Sequence, residues 1–267
     1  MGRCGKSAST NWTRRINMAY QQMASLYDQL MENVPYDKWL QFTQDIIKKS
    51  GKNVESIADL GCGTGEITIR LAKEGYQLFG VDYSSDMLTY AEQKSSANNL
   101  QIQWLHQDLR ELQGFTNLDA VVSYCDVINY ITSENELRTV FLNVAESLKT
   151  GGLFIFDIHS LHHVANNLTN HTFTEVTDDL VYIWDCNEGE VAGEMFHDLT
   201  FFTLENGKYD RIEELHHQCT YSIDIYKKIL IDAGFEKPVL YSDFSIETDN
   251  LNEKSERIFF VTEKRSR

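Results

Sequence analysis

The stretch DLGCGTG at residues 59–65 sets a glycine at every second position, Gly61, Gly63 and Gly65, between the apolar run SIADL and the amphipathic run EITIRLAKEG. Every second Cβ is thereby absent, so the backbone can turn sharply and a ligand can approach it to contact distance. A strand, a glycine turn and a helix in that order put the turn at the carboxyl edge of a parallel sheet, where doubly wound α/β folds bind ligands. The chain is held to an α/β grammar by this one feature, and the flanking runs follow it.

After the helix 66–75 come a strand at 77–82, a helix at 84–94, strands at 102–106 and 118–124, a helix at 134–149 and a strand at 153–157. Ser133 and Glu136 form a capping box for the last helix, whose apolar face is Leu137, Val140, Phe141, Val144 and Leu148 before Gly151-Gly152 stops it. Two amphipathic helices parted by Pro35 precede the first strand within residues 18–50. The grammar changes over 180–220, where three strand-like runs separated by turn signals predict an antiparallel β meander. A helix at 222–235 and strands at 237–245 and 257–263 then resume the α/β pattern.

The predicted organisation is a non-native leader at 1–17, an N-terminal helical cap at 18–50, one α/β domain from 51–158 and 223–267, and an inserted β lid at 159–222. The leader assignment rests on Arg3, Lys6, Arg14 and Arg15 without an acid or an apolar pattern, a native disordered arm or a basic, serine-containing targeting segment being the alternatives. Formal net charge is −16, which disfavours nucleic acid and anionic membrane as partners. No run of eighteen apolar residues occurs, so no membrane span is expected and the cytoplasm is the expected compartment. Five cysteines without CxxC spacing read as free thiols, and the histidines at 159, 162 and 163 lack a metal-ligand pattern, so no metal is expected.

The ligand of the glycine turn can be narrowed from its neighbours. A dinucleotide site wants a third glycine where this chain has Glu66, and a carboxylate is a poor neighbour for a diphosphate. The G-x-G-x-G form, with Cys62 inside it and Asp59 ahead of it, suits a zwitterion such as the methionine end of S-adenosylmethionine. Asp82, followed by Tyr83, closes the second strand and can accept both ribose hydroxyls of either NAD or S-adenosylmethionine. Asp108 can take an adenine amino group, with the Leu109 amide on a ring nitrogen and Met87 on the ring face.

DLGCGTGEI, GVDYSSDML, HQDLREL, LDAVVSYCDVINYI and LKTGGLFIFDI resemble the successive motifs of class I S-adenosylmethionine-dependent methyltransferases over roughly residues 54–158. AYQQMASLYDQLM near the start, YDRIEELHHQCTYS at the end of the insertion and the later AGF resemble bacterial small-molecule methyltransferases, among them sugar-amine N-methyltransferases. The resemblance implies a Rossmann-like sheet, S-adenosylmethionine as cofactor, and methyl transfer to an N or O atom of a small molecule by in-line displacement. It sets Tyr20 and Tyr124 at the methionine end of the cofactor. The sugar-amine enzymes carry a histidine acting on the substrate amine where this chain has Tyr130, and aromatic residues where it has His159 and Ser160, so their substrate does not transfer. Tyr130 and His159 are the candidates for removing the acceptor's proton. Tyr27, Arg211, Glu214, His216 and Gln218 are candidates to line the acceptor pocket, the last three sharing one face of a strand at period two. A dimerisation sheet is the alternative for the insertion, and a catalytically idle cofactor-binding module serving a partner protein is the alternative for the chain.

Overall fold

The computed structural model describes residues 34–205 and 207–266, in two compact units divided after Leu109. Tyr20, Tyr27 and the leader lie outside the described residues. The first unit holds helix α1 (Tyr36–Ser50), strand β1 (Ser56–Leu60), helix α2 (Glu66–Lys73), strand β2 (Gln77–Asp82), helix α3 (Ser85–Ala97) and strand β3 (Gln103–His106). Its strands are parallel in the order β1-β2-β3. Leu60 pairs with Val81 and Asp82 with His106, so the three strands end at one edge. Helix α1 buries Tyr36, Trp39, Phe42, Ile46 and Ile47, the face that helical spacing requires, and closes on Gly51 in the left-handed region at φ 67°.

The second unit pairs strand β4 (Leu118–Ser123) in parallel with β5 (Leu148–His159). Strand β11 (Arg257–Glu263) runs antiparallel to β5, and β10 (Val239–Ser242) antiparallel to β11. Helices α4 (Glu134–Ser147) and α5 (Ile223–Asp232) accompany them. The capping box is present: the Glu136 amide donates to Ser133 Oγ at 3.2 Å, and that hydroxyl donates to the Glu136 carboxylate at 2.9 Å. Helix α4 ends before the glycine pair, because Leu148 is already extended and opens β5. Gly151, at φ 75°, lies within β5, where the β4–β5 register shifts. The strand expected at 237–245 spans only Val239–Ser242 and is cut short by Asp243 and Phe244, which turn at φ 51° and 65°, whereas the strand expected at 257–263 is present with those bounds.

A separate four-stranded antiparallel sheet, in the order β6-β7-β8-β9, occupies residues 171–219 of the second unit. Three of its strands match the predicted meander: β7 (Leu180–Glu188), β8 (Glu194–Glu205) and β9 (Lys208–Cys219). Strand β7 extends to Glu188, and the turn into β8 follows over residues 189–193. Strand β6 (His171–Val176) is additional; five of its six residues are exposed, so no apolar alternation announced it. Its anchor is Phe173, whose ring lies 4.5 Å from that of Trp184 on β7.

The core of the second unit is aromatic. Phe156 stacks on Phe260 with ring centroids 4.8 Å apart, lies as close to Phe154, and packs against Phe141 of α4 at 5.2 Å, all four rings being fully buried. Truncating Phe156 leaves a cavity among rings that cannot all collapse into it. Phe156→Ala should therefore cost about 3–5 kcal/mol in urea denaturation, against under about 0.5 kcal/mol for the exposed Tyr209→Ala.

Candidate functional site

Gly61, Gly63 and Gly65 adopt φ of 72°, 54° and 80°, the left-handed region in which only glycine is comfortable. Strand β2 holds the turn, since the Gly61 and Cys62 amides both donate to the Val81 carbonyl, at 2.8 and 3.0 Å. The Asp82 carboxylate then clamps it, accepting the Gly63 amide on one oxygen and the Ser84 amide on the other, each at 2.8 Å. Burial pushes the Asp82 carboxyl up, and these backbone donors oppose the shift. Asp82 does not cap the next helix; Ser84 does, accepting the Met87 amide at 3.3 Å.

The three glycines are not equivalent. A Cβ on Gly65 would stand 2.7 Å from the Trp104 ring and 3.1 Å from Ala91, and one on Gly80 would stand 2.3 Å from the same indole. Trp104 of β3, fixed by a 3.2 Å hydrogen bond from its Nε1 to Ser95 Oγ, is thus the surface on which the turn lies flat. A Cβ on Gly63 would meet nothing within 4 Å among the described residues. The turn has a packed side and an open side, and Gly63 faces the open one.

Asp59 is buried and accepts the Thr68 hydroxyl of α2 at 2.6 Å. Burial pushes its carboxyl up to about 7; the Thr68 hydrogen bond works against this and the Asp82 charge adds to it. The Cys62 thiol is pushed well up by burial and then by the Asp59 and Asp82 charges, so it stays a thiol. Tyr83 is exposed, its carbonyl 2.7 Å from His106 Nε2. Met87 and Asp108 are half-buried, and Leu109 is buried at the start of a short turn of helix. Asp59, Gly61, Cys62, Gly63, Gly65, Asp82, Tyr83, Met87, Asp108 and Leu109 therefore gather at the ends of three adjacent parallel strands.

The second unit carries the remaining candidates. Tyr124 is buried, its ring edge-on to Phe259 at 6.4 Å. Cys125 and Asp126 follow at φ 56° and 54°, two consecutive non-glycine residues in the left-handed region. Asp126 lies 3.3 Å from His159 Nε2 and 3.2 Å from an Arg257 nitrogen. It also accepts the Gln218 amide nitrogen at 3.0 Å. Burial works against its ionisation, but the His159 and Arg257 charges and the Gln218 hydrogen bond hold its carboxyl well below the usual carboxylate range. Arg257 pairs as well with the fully buried Asp157. The register explains the gathering, because Arg257 stands directly opposite His159, and Asp157 and His159 share a face of β5.

This network continues into the second sheet. Trp184 Nε1 donates to His197 Nδ1 at 2.9 Å, which fixes the imidazole with its proton on Nε2, where it donates to Gln218 Oε1 at 3.1 Å. Burial lowers the His197 pKa, in keeping with that neutral tautomer. His159 Nδ1 stands apart as a buried polar atom with no hydrogen-bond partner among the described residues.

Tyr130, the other candidate, sits on a turn of 3-10 helix (Val127–Tyr130) after β4. Its hydroxyl lies 3.0 Å from His216 Nδ1, and His216 Nε2 lies 3.0 Å from the Glu214 carboxylate. Tyr130, singled out as a proton acceptor, is thus joined in one chain with His216 and Glu214, expected on one face of a strand. Arg211 does not join them: an odd number of residues from Glu214 and His216, it turns to the other face of β9, where it pairs with Glu213 over the Phe202 ring.

A methyltransferase domain family matches residues 57–152. A protein of Geobacillus sp. (strain WCH70), itself assigned to the methyltransferases, is 42% identical over 249 residues, covering 92% of this chain and 100% of that one. The chain belongs to the class I S-adenosylmethionine-dependent methyltransferases. The solved S-adenosylmethionine-dependent methyltransferase from Clostridium acetobutylicum ATCC 824 superposes with TM-score 0.84 at 27% identity, covering 93% of this chain and 100% of that one. The sugar N-methyltransferase KedS8 from Streptoalloteichus sp ATCC 53650 has TM-score 0.74 at 18% identity, covering 100% of this chain and 96% of that one, a likeness of fold alone. The fold of this methyltransferase is the Rossmann-like α/β sheet of its family together with the additional antiparallel sheet.

Four residues of the methyltransferase escaped the sequence reading. Trp104 had been counted only within an apolar strand, and its signal was the pair Gly65 and Gly80, which leave room for an indole. Thr68, the partner of Asp59, carried none. Asp126 and Arg257 meet across 131 positions of sequence, and nothing local marks such a pair.

Asp59 generates a pH dependence with a definite sign. Its folded pKa of about 7 exceeds the unfolded value of 3.8, so between these the native state holds the extra proton and stability falls as pH rises, levelling off above about 7. Asp59→Asn keeps an acceptor for Thr68 and removes the titration. The variant's stability relative to the unaltered chain should therefore grow from pH 5 to pH 7 and stay level to pH 8 in urea denaturation; a difference independent of pH would contradict the buried, near-neutral carboxyl.

Proposed function

We propose that this methyltransferase moves a methyl group from S-adenosylmethionine to a nitrogen or oxygen of a small molecule. The observation that carries the reading is the glycine turn clamped by Asp82, with Gly63 facing open space at the common edge of β1, β2 and β3. Bound S-adenosylmethionine supplies a methyl group on a sulfonium, a leaving group good enough that transfer to a nucleophile is downhill. The task left to the chain is alignment, and holding reactants in an attack geometry can supply about 7–11 kcal/mol of barrier lowering.

In this reading the cofactor's amino-acid end approaches the backbone of the turn on its open side, at Gly63, while the Gly61, Cys62 and Gly63 amides stay engaged by Val81 and Asp82 and hold the turn in shape. Asp82 takes the ribose hydroxyls while keeping its two amide donors, which aim its oxygens. Asp108 and the Leu109 amide meet the adenine edge and Met87 its face. Asp59, already engaged by Thr68, fixes the packing of strand on helix behind the part of the turn assigned to the ammonium end. Tyr20, Tyr83, Cys62 and Tyr124 complete the set assigned to the cofactor.

The acceptor is assigned to groups of the second unit. Of the two candidates for its proton, Tyr130 is the accessible one, with His216 and Glu214 behind it, while His159 and Gln218 are engaged by Asp126; the insertion 159–222 is read as serving the acceptor. A small molecule suits a chain with net charge −16, whose surface repels nucleic acid.

Isothermal calorimetry with S-adenosylhomocysteine tests the cofactor assignment. Asp82→Ala should weaken binding by about 1.5–3 kcal/mol, the scale of charge-assisted hydrogen bonds lost from a partly buried site. Gly63→Ala should weaken it as well, since its methyl group would enter the space left for the ligand. Unchanged affinity in both, with circular dichroism showing folded protein, would remove the cofactor from this edge.

A further inference from the structure

The hydrogen bonds linking Tyr130, His216 and Glu214 have a direction. A carboxylate only accepts, so the His216 nitrogen facing Glu214, Nε2, carries the imidazole's proton. The nitrogen facing Tyr130, Nδ1, then bears a lone pair, and the Tyr130 hydroxyl donates to it. The chain is ordered as O–H to N, then N–H to carboxylate, with every hydrogen placed by the acceptor-only character of its last member. It spans two elements of the second unit, Tyr130 on the turn after β4 and the other two on β9, 86 positions away in sequence.

The accessibility of the members differs. Tyr130 is 45% exposed, an unusual position for a tyrosine whose hydroxyl is engaged by the protein. His216 and Glu214 side chains are 26% and 33% exposed. The chain therefore opens to solvent at the phenol and is partly screened behind it. His159 has the opposite character: its free nitrogen is buried and its other nitrogen faces Asp126. A group that must touch an incoming acceptor needs the first arrangement, whereas the second suits a residue that holds the strained turn at Cys125 and Asp126.

We infer that Tyr130, His216 and Glu214 form a proton relay that takes the proton from the methyl acceptor, with Tyr130 as the catalytic residue and His216 and Glu214 as positioning residues behind it. This rests on the methyltransferase reading above and specifies its acceptor class: a group whose attacking electron pair is held by a proton until transfer, an ammonium or a hydroxyl. The acceptor's N–H or O–H proton passes to Tyr130 Oη as Tyr130's own proton passes to His216 Nδ1. The electron pair released on the acceptor forms the new bond to the methyl carbon, and the pair of the broken carbon–sulfur bond stays on sulfur. The imidazolium so formed faces the Glu214 carboxylate, which stabilises it until the proton leaves to water. His216 thereby serves, through a phenol, as a proton acceptor whose orientation is fixed in advance.

The test reads the order of the relay directly. In long-range proton–nitrogen spectra of 15N-labelled chain, with His216 assigned by comparison with His216→Gln, His216 should be a single tautomer protonated on Nε2. Tyr130→Phe should move its Nδ1 resonance, and Glu214→Ala should convert it to a mixture of tautomers. A mixture in the unaltered chain that neither substitution changes would overturn the relay. In parallel, Tyr130→Phe should lower transfer from radiolabelled S-adenosylmethionine to a pool of small bacterial metabolites by about 100-fold or more, with S-adenosylhomocysteine affinity within twofold. Transfer retained within twofold would also overturn it, whereas failure of the unaltered chain to bind S-adenosylhomocysteine would count against the methyltransferase reading instead.

Discussion

The Asp82 carboxylate is the point on which the cofactor edge depends. One of its oxygens holds the amide of Gly63 and the other the amide of Ser84, so a single side chain at the end of β2 fixes both the glycine turn after β1 and the entry into α3. Three left-handed residues in five is a conformation that an unconstrained chain would abandon. It persists because Val81 and Asp82 supply acceptors on one side and Trp104 supplies a flat surface on the other. The same arrangement aims the carboxylate, so the interactions that shape the turn also prepare it for a ligand.

A second polar centre orders the other unit by different means. Asp126 is held in the left-handed region and surrounded by Arg257, His159 and Gln218, with Asp157 behind the arginine. Buried charges of this kind add little net stability, yet leaving one unpaired would be costly, so together they specify a single arrangement. Gln218 extends that arrangement into the antiparallel sheet through His197 and Trp184. Three more bonds tie the end of β9 to the end of β5: the Thr220 hydroxyl donates to the His159 carbonyl at 2.6 Å, and the Asn129 side chain bridges the Cys219 carbonyl and the His159 amide. The strand bearing Glu214 and His216 is thereby referred to the same strand ends as Tyr130, which is what a directed chain of hydrogen bonds between them needs.

Legibility in the sequence followed the range of the interactions. Strands β1, β2 and β11 could be bounded from apolar runs that end at glycine or a charge, and the capping box of α4 is contained in four residues. The glycine turn and Asp82 were legible because the ligand edge of a parallel sheet is marked locally, at strand ends. Strand β6 was not, since it buries only part of one side chain, Phe173, and owes its form to backbone pairing with β7. Nor could the partners of Asp126 or the link from Tyr130 to His216 be read, because each joins residues brought together by register. Periodicity correctly put Glu214, His216 and Gln218 on one face, yet it could not say that two of them serve Tyr130 and the third Asp126.

The central claim concerns where the cofactor sits, and a crystal structure of the chain with S-adenosylhomocysteine tests it most directly. The account requires the ribose hydroxyls within hydrogen-bond distance of the Asp82 carboxylate, the amino-acid end against the backbone of Gly61 to Gly63, and the adenine beside Asp108. The first unit offers a rival in a cavity of about 460 Å³ whose lining includes Asp37, Glu66, Arg70, Lys73 and Lys94, where Arg70 and Lys94 are already paired with acids. Ligand density in that cavity, with the glycine turn left bare, would contradict the account.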